Sequence, residues 1–311
     1  MERKISFGDL QKAVTEAYEQ FKTVGDGQVD PRVEGADADK FGIAVVLPSG
    51  ETITVGDTSV ASPMGSISKI PALTTLFEQV KPSEFIGKNA CGCRCGGGTK
   101  PAKPHIGVSA KGVRLVSALQ PQGDPDGKMD IFVSTLESLV ASEPVLDDKL
   151  YRSLVAKTQE LNAVNALAAA EFELFDDSVP SIDMYAKISA LTLTATQYAT
   201  MAATIAADGY NPVSGGNAFD GEIAKNIVGF MAAKGPHKMA KPWLASTGLP
   251  AVSSFGGVIM GVLPGTFGIA AYSPLVNGHG VSVRAKKALA YIMQKLDLSA
   301  LSSSRVTIVK E

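Results

Sequence analysis

Two hairpin-like stretches, one near each end of the chain, enclose a long helical middle, and this order constrains the fold more than any other feature. Residues 41–47 and 52–55 are rich in β-branched residues and are joined by Pro-Ser-Gly-Glu, which predicts an antiparallel hairpin. Residues 255–263 and 267–272, joined by Pro-Gly-Thr, predict a second hairpin. The sequence between the two hairpins has helical periodicity instead.

Helical periodicity occurs between the two hairpins and also outside them, at both ends of the chain. The predicted helices span residues 7–23, 131–141, 150–172, 181–189, 196–207, 221–233 and 281–296. Thr194 is a plausible N-cap for the fifth of them. We predict an α/β (α+β) fold in which the terminal helices cover one face of an antiparallel sheet built from both hairpins. Residues 1–62 and 235–311 would form this lobe, and residues 63–234 an inserted helical lobe.

Charge and hydrophobicity exclude several classes of protein. The chain has 311 residues and a net charge of −2, which argues against a nucleic-acid or anionic-membrane surface. No apolar run reaches the ~18 residues that a membrane span needs. Met-Glu-Arg-Lys at the start leads into an amphipathic segment rather than a signal sequence. We therefore expect a soluble cytoplasmic protein.

The strongest chemical signal is the tetrapeptide Ser66-Ile67-Ser68-Lys69, which lies at the expected boundary between the lobes. If Ser66 opens the helix that follows, Lys69 lies one turn later on the same face. The positive end of the helix dipole then favours an alkoxide on Ser66. A nucleophilic serine with a lysine base is one interpretation. An N-capping serine followed by a solvent-facing lysine is the other.

Several further segments resemble the serine-dependent glutaminases, which are related in fold to penicillin-binding proteins and class A β-lactamases. These segments are Gly56-Asp57, Ser66 to Lys69, MYAKISALTLTATQYATMAATIAADGYNP around Tyr185, Gly248-Leu249-Pro250, and FGGVIMGVLPGTFGIAAYSPLVNGHGVSVR from Phe255. The resemblance covers most of the chain except residues 81–150. It implies that Ser66 attacks an amide carbonyl, that Lys69 is its base, and that Tyr185 relays a proton to the leaving amine.

The resemblance also implies a set of binding residues, several of which depart from the family pattern. The backbone N–H of Phe255 would complete the oxyanion hole with Ser66, and Asn162 matches an asparagine that binds substrate. A substrate-binding Asn-Ala-Gly segment becomes Gly107-Val108-Ser109, and Lys-Ser-Gly becomes Val252-Ser253-Ser254. The family glutamate falls on Val155, and two family tyrosines fall on Ala245 and near Val29. We place Gly107, Ser109, Asn162, Ala245 and Ser253 at the substrate.

The cysteines and histidines do not form a recognisable second site. Cys91, Cys93 and Cys95 are more closely spaced than the Cys-x2-Cys pairs of structural zinc, so a loop with reduced thiols is favoured over a metal site. By the same resemblance this loop borders the substrate pocket, where Arg94, Lys100 and Lys103 can present positive charge. His237 and His279 have no evident acidic partner, which argues against a Ser-His-Asp triad. The glycine runs lack the Lys-Ser/Thr of a phosphate loop.

These observations predict a glutaminase-like serine amidohydrolase that acts on a small-molecule amide without metal or cofactor. Its nominal reaction is L-glutamine to L-glutamate and ammonia, through an acyl-enzyme on Ser66. The altered recognition residues leave two alternatives open. One is an amidase or acyltransferase for a less zwitterionic amide, and the other is a catalytically silent paralogue that serves as a binding partner. The resemblance implies a homodimer or homotetramer.

Overall fold

The structure, a computed structural model, describes residues 2–83, 85 and 105–310 of the chain. Its α-helices are α1 (Phe7–Phe21), α2 (Lys69–Gln79), α3 (Ala110–Ser117), α4 (Pro125–Val140), α5 (Asp148–Glu160), α6 (Ala163–Ala169), α7 (Ser178–Ala190), α8 (Ala195–Ala206), α9 (Ala224–Lys234), α10 (Ala240–Thr247) and α11 (Val283–Lys295). Short 3-10 helices span Pro31–Val33, Gly65–Ser68, Gly221–Ile223 and His237–Met239. Three of these short helices carry residues described below at or near the candidate site.

The strands form one central sheet and several small pairings. They are β1 (Glu2–Ser6), β2 (Gln28–Val29), β3 (Gly42–Val46), β4 (Thr52–Gly56), β5 (Ser62–Pro63), β6 (Val145–Leu146), β7 (Leu191–Leu193), β8 (Tyr210–Asn211), β9 (Gly216–Asn217), β10 (Ala251–Ser253), β11 (Val258–Leu263), β12 (Phe267–Tyr272), β13 (Leu275–Val276) and β14 (Arg305–Val309). The central sheet has the order β10-β11-β12-β3-β4 and is antiparallel throughout. Both predicted hairpins therefore join in one sheet, as expected.

The two faces of the central sheet pack against different helices. Ile43 and Ile259 face the terminal helices, where they share a core with Leu10 of α1 and Leu289 of α11. This confirms that helices from both ends of the chain cover one face. Alternate residues such as Met260 face the other side and pack against α8. The proposed lobe boundaries at residues 62 and 234 stay a prediction.

Helix α8 lies directly on strand β12. A Cβ atom added to Gly268 would overlap the backbone of Ala199 and Ala203, so the strand must have glycine at this position. The helix begins with a capping box in which Thr194 and Gln197 exchange side-chain to backbone hydrogen bonds. The predicted N-cap at Thr194 is thus confirmed. The helix from the middle of the chain is thereby held against the sheet.

Some predicted boundaries differ from the structure for local reasons. The helix predicted over residues 150–172 breaks before α6, because Asn162 has a left-handed backbone (φ 47°) and interrupts the hydrogen-bond ladder. The strand predicted from residue 255 begins at Val258, because residues 254–257 form a turn with Gly257 at φ 94°. The parallel pair of β1 with β14 was not predicted.

Candidate active site

Ser66 lies in the 3-10 helix between β5 and α2. It directly follows Gly65, where only glycine fits the backbone turn. Gly65 has φ 48°, and a Cβ atom there would lie 2.7 Å from the Phe255 ring and 2.9 Å from the Ser254 Oγ. The α-helix begins at Lys69 rather than at Ser66 as expected. The 3-10 turn runs straight into it, so both side chains still share one short helical segment. Ser66 is therefore held close against the residues that follow β10.

Lys69 contacts both of the other predicted catalytic side chains. Its Nζ lies 3.3 Å from the Ser66 Oγ and 5.5 Å from the centroid of the Tyr185 ring. Within the described part of the chain, no carboxylate forms an ion pair with Lys69. The geometry suits proton transfer from Ser66 to Lys69.

Tyr185 is held by a close packing of two helices. It lies on α7 with 3% of its surface exposed, and its ring packs against Gly112 of α3. A Cβ atom at Gly112 would come within 2.6 Å of the Tyr185 hydroxyl oxygen and closer still to ring carbons. Ser109 caps α3, because its side chain accepts a hydrogen bond from the Gly112 N–H at 3.3 Å. Ser109 thus fixes the helix that supports Tyr185.

The turn after β10 is fastened to the strand that precedes Ser66. The buried Ser254 Oγ donates to the Pro63 carbonyl (2.6 Å) and accepts from the Gly256 N–H (3.0 Å). The Ser62 Oγ donates to the Gly256 carbonyl at 2.8 Å. These bonds fix the position of Phe255, which lies between Ser254 and Gly256, relative to Ser66.

Two backbone N–H groups are left free at this junction. Among residues 2–83, 85 and 105–310, neither the N–H of Ser66 nor that of Phe255 donates to a protein acceptor. Buried or half-buried N–H groups without a partner are rare in folded proteins, so a pair beside a candidate nucleophile needs an explanation. Two such donors are what an oxyanion hole requires.

An unpredicted ion pair lies over the Phe255 ring. The Arg32 guanidinium carbon is 3.9 Å from the ring centroid, and its Nε and Nη2 donate to Asp30 at 2.8 and 2.7 Å. Burial alone would raise the pKa of Asp30, but the hydrogen bonds from Arg32 lower it by a larger amount. The pKa of Asp30 is therefore below its usual value. Val29, where a family tyrosine was expected, lies instead in β2, paired with Leu275. Sequence reasoning missed Arg32, since only the folded chain brings it to Phe255.

His237 is a second residue that the sequence did not assign to the site. It lies in the 3-10 helix before α10, has a left-handed backbone (φ 50°), and its Nε2 is buried without a hydrogen-bond partner. Burial and the nearby positive charges of Lys69 and Arg32 lower the pKa of His237, while Asp30 opposes them. The imidazole of His237 therefore takes up a proton less readily than a free histidine does.

The predicted binding residues are distributed over several elements. Ser253 is buried on β10, and its Oγ has no hydrogen-bond partner. Gly107 (φ 79°) packs against Lys157 of α5. Asn162 and Ala245 are exposed, at the start of α6 and on α10. Of these residues, Ser253 has the unpaired group that a substrate contact requires.

Val33, Val108 and Val155 pack against a small hydrophobic cluster that contains Phe255, and we call these four residues the apolar wall. The cluster also includes Leu150 and Leu154 of α5. Val155 therefore adds a hydrocarbon surface to the cluster that contains Phe255, at the position where the resemblance led us to expect a glutamate. The loop that contains Cys91, Cys93, Cys95, Arg94, Lys100 and Lys103 lies outside the described residues. Within the described residues, no group of three or more His, Cys, Asp or Glu side chains is placed to hold a metal.

The antiparallel sheet, the helical middle and the serine–lysine pair define a serine hydrolase of the Ser-x-x-Lys class. A family model for glutaminase matches residues 27–301. The curated glutaminases of Bacteroides fragilis and Bacteroides thetaiotaomicron are each 34% identical over 322 aligned positions, which cover 99% of this chain and 100% of each relative. This chain belongs to the glutaminase family.

Solved structures agree in fold. The probable glutaminase ybaS superposes with a TM-score of 0.84 at 24% identity, over 96% of this chain and 100% of that one. A probable glutaminase from Bacillus subtilis, complexed with 6-diazo-5-oxo-L-norleucine, superposes with a TM-score of 0.81 at 22% identity, over 93% and 95%. The predicted β-lactamase-like α/β fold is thus confirmed. None of the helices in the described ranges has the length and apolarity needed to cross a bilayer.

Proposed function

We propose that this protein hydrolyses a carboxamide through an acyl-enzyme on Ser66, with L-glutamine to L-glutamate and ammonia as the nominal reaction. The observation that carries the proposal is the 3.3 Å distance from the Lys69 Nζ to the Ser66 Oγ. A relative supports it, since the Bacillus subtilis glutaminase YbgJ forms a covalent complex with 5-oxo-L-norleucine by reaction with the diazo ketone 6-diazo-5-oxo-L-norleucine. That reagent is an electrophilic mimic of glutamine.

In the acylation step, neutral Lys69 takes the Ser66 proton as Oγ attacks the amide carbon. The free N–H groups of Ser66 and Phe255 receive the developing negative charge on the carbonyl oxygen. The C–N bond then breaks, and the proton on Lys69 passes to the leaving nitrogen through the Tyr185 hydroxyl. Ammonia leaves, and Lys69 is neutral again. Backbone donors need no particular side chain, so Phe255 can replace another residue without loss of this function.

A second candidate substrate is favoured by the apolar wall. Val155 offers nothing to a charged α-amino group, whereas the Nη1 of Arg32, unlike the two nitrogens that bind Asp30, donates to no acceptor among the described residues. A guanidinium is suited to a carboxylate. We infer an amide whose head is anionic rather than zwitterionic. Each missing charged contact to glutamine's head removes ~1.5–3 kcal/mol of binding free energy.

Covalent labelling tests the nucleophile. The chain is incubated with 6-diazo-5-oxo-L-norleucine and with a panel of serine-directed probes, and its intact mass is measured. We expect one adduct, which Ser66→Ala abolishes and which Ser59→Ala, at an exposed serine outside the site, leaves unchanged. Absence of Ser66-dependent labelling with every probe would support the catalytically silent paralogue.

Steady-state ammonia release tests the substrate. L-Glutamine is compared with N-acetyl-L-glutamine, which lacks the free α-amino group, and with L-glutamine methyl ester, which lacks the carboxylate. We expect the N-acetyl amide to have the highest kcat/KM, and the ester to lose most, because Arg32 has no partner on it. Sub-millimolar KM for L-glutamine, with clear preference over both blocked amides, would restore the ordinary glutaminase specificity.

We also propose that the protein acts as a homodimer or homotetramer in the cytoplasm, as the family resemblance implies. Size-exclusion chromatography with light scattering measures the oligomer directly. A monomer at micromolar concentration would contradict the proposal. Fractionation of the source cells tests the location.

A further inference from the structure

Arg284 is a buried arginine at a position that does not favour a positive charge. It is 4% exposed and lies in the first turn of α11, directly after the N-cap region at Ser282. The partial positive charge at the start of a helix repels a cation there. Among the residues that the structure describes, no carboxylate forms an ion pair with Arg284. Buried charges are normally paired, so helix stability does not explain this arginine.

The Arg284 guanidinium joins the two ends of the loop that carries Arg32. Its Nε donates to the Val24 carbonyl at 2.7 Å, and its Nη1 donates to the Ala38 carbonyl at 2.8 Å. We call residues 24–38 the Arg32 loop. Because a guanidinium presents its donors at fixed angles, one side chain sets the separation of the two carbonyls as well as their distance from α11. Helix α11 is a firm base for these bonds, since it packs in the core against the central sheet.

The middle of the Arg32 loop has few other attachments. Residues 30–37 form hydrogen bonds with close neighbours in sequence, such as the bond from the Val33 N–H to the Asp30 carbonyl at 2.9 Å. Within the described chain, no hydrogen bond joins residues 30–37 to another element. Side-chain packing is what connects them to the site, with Val33 against the cluster that contains Phe255 and the Arg32 guanidinium over the Phe255 ring.

The position of this segment is therefore set mainly at its two ends. At one end, β2 pairs with β13 on the other side of the loop. At the other end, the Arg284 Nη1 holds the Ala38 carbonyl. Loss of the second attachment would let the Arg32 guanidinium leave the Phe255 ring while β2 stays paired.

We propose that Arg284 is a positioning residue for substrate recognition, which holds Arg32 where it can bind the anionic head of the substrate. This inference rests on the proposed function, in which the Arg32 guanidinium binds the carboxylate of that head. Arg284 acts through Arg32 and not by touching the substrate. It therefore governs the binding of anionic amides and leaves the chemistry at Ser66 and Lys69 unchanged.

The test compares an anionic amide with its neutral ester in Arg284→Gln, whose shorter side chain cannot reach both carbonyls. N-acetyl-L-glutamine and its methyl ester differ in whether the carboxylate is free, and ammonia release is measured for both. We expect the KM of the acid to rise about 10-fold or more, the usual effect of losing a charged hydrogen bond. Its kcat, both constants of the ester, and the limiting rate of Ser66 labelling by 6-diazo-5-oxo-L-norleucine should stay within about twofold of the wild type.

Two further variants control the comparison. Lys287→Ala removes an exposed lysine of α11 that pairs with Asp26 of the Arg32 loop at 3.6 Å, and this variant should match the wild type. Arg284→Lys keeps the charge but has a single donor group, so it can hold one of the two carbonyls and should give an intermediate KM for the acid. If Arg284→Gln does not fold, Arg284→Lys supplies the same comparison of acid with ester.

Several outcomes overturn the inference. In a folded Arg284 variant, these are an equal loss for acid and ester, or an unchanged KM for the acid. A further rise in KM when Arg284→Gln is added to Arg32→Ala would also contradict it, because both residues are proposed to act through one contact. If Arg32→Ala alone leaves the preference for the acid unchanged, the anionic head is wrong and the inference falls with it. A wild type that neither labels nor turns over amides would instead refute the proposed function itself.

Discussion

Gly112→Ala is a direct test of how the fold positions Tyr185. The added methyl group would lie 2.6 Å from the Tyr185 hydroxyl oxygen and nearer to two ring carbons. Ordinary contact needs ~3.5 Å or more, so the two ring carbons at 2.1 Å must move by roughly 1.4 Å and the hydroxyl oxygen by roughly 0.9 Å, or α3 must move away from α7. Tyr185 is 3% exposed, so the ring has no free space into which it can shift.

The expected losses in stability and in activity differ in size. Overpacking costs about 1–3 kcal/mol, while alanine in place of a helical glycine returns about 1 kcal/mol, so the free energy of unfolding should fall by no more than about 2 kcal/mol. A catalytic group misplaced by about 1 Å costs about 100-fold in rate, which is about 2.7 kcal/mol in the activation barrier. The variant should therefore be folded but nearly inactive.

The assay compares ammonia release and thermal unfolding in Gly112→Ala and in Gly229→Ala. Gly229 lies on α9 with open space around its Cα, so alanine there should stabilise the chain by about 0.5–1 kcal/mol and leave activity unchanged. In the Tyr185→Phe background, Gly112→Ala should have little further effect on kcat, because both changes act through one hydroxyl. Wild-type kcat in a folded Gly112→Ala protein would refute the reasoning.

Three other predictions concern single groups. Lys69→Arg should lose activity almost as fully as Lys69→Ala, because arginine stays protonated; retained turnover in the arginine variant would remove Lys69 from the mechanism. Ser254→Ala should lower kcat about 10-fold with little change in KM, because it frees the turn that holds the Phe255 N–H, and Ser254→Thr should recover part of it. The Gly123 N–H and the Lys128 ammonium lower the pKa of Asp176 to about 2, so its contribution to stability is present above the unfolded value near 3.8 and is lost as pH falls toward 2. Urea unfolding from pH 5 to pH 2 should show a smaller loss in Asp176→Asn than in the wild type.

The sequence was sufficient for those parts of the fold and site that depend on neighbouring residues. The hairpin of β3 and β4 follows from runs rich in β-branched residues on either side of a Pro-Ser-Gly-Glu turn, and the cap at Thr194 from the spacing to Gln197. The distance from Ser66 to Lys69 follows from three residues of helical chain. Each of these features is a local consequence of side-chain type and spacing.

The rest depends on contacts between residues far apart in the chain. Arg32 reaches the Phe255 ring, and the Lys69 charge acts on the pKa of His237, only after the sheet and helices have assembled. The parallel pairing of β1 with β14 joins the two ends of the chain. No periodicity within a short window contains these relations, so a lone arginine in a loop and a lone histidine before a helix could not be told from ordinary surface residues.

In the proposed site, the groups that stabilise the reacting carbonyl are backbone N–H groups, whereas those that recognise the substrate are side chains. One set can therefore change without the other. In the proposed mechanism, the oxyanion donors are backbone N–H groups, and Ser254 and Ser62 hold the turn that contains Phe255, so the Phe255 side chain can vary while its N–H stays in place. Recognition of a substrate head depends on side-chain charge, and Val155 has none. The residues of the apolar wall belong to a hydrophobic cluster separate from the Ser66–Lys69 pair, so a change in substrate need not alter the distance between Ser66 and its proposed base. Altered specificity with intact amide chemistry is therefore the combination that this fold permits most easily.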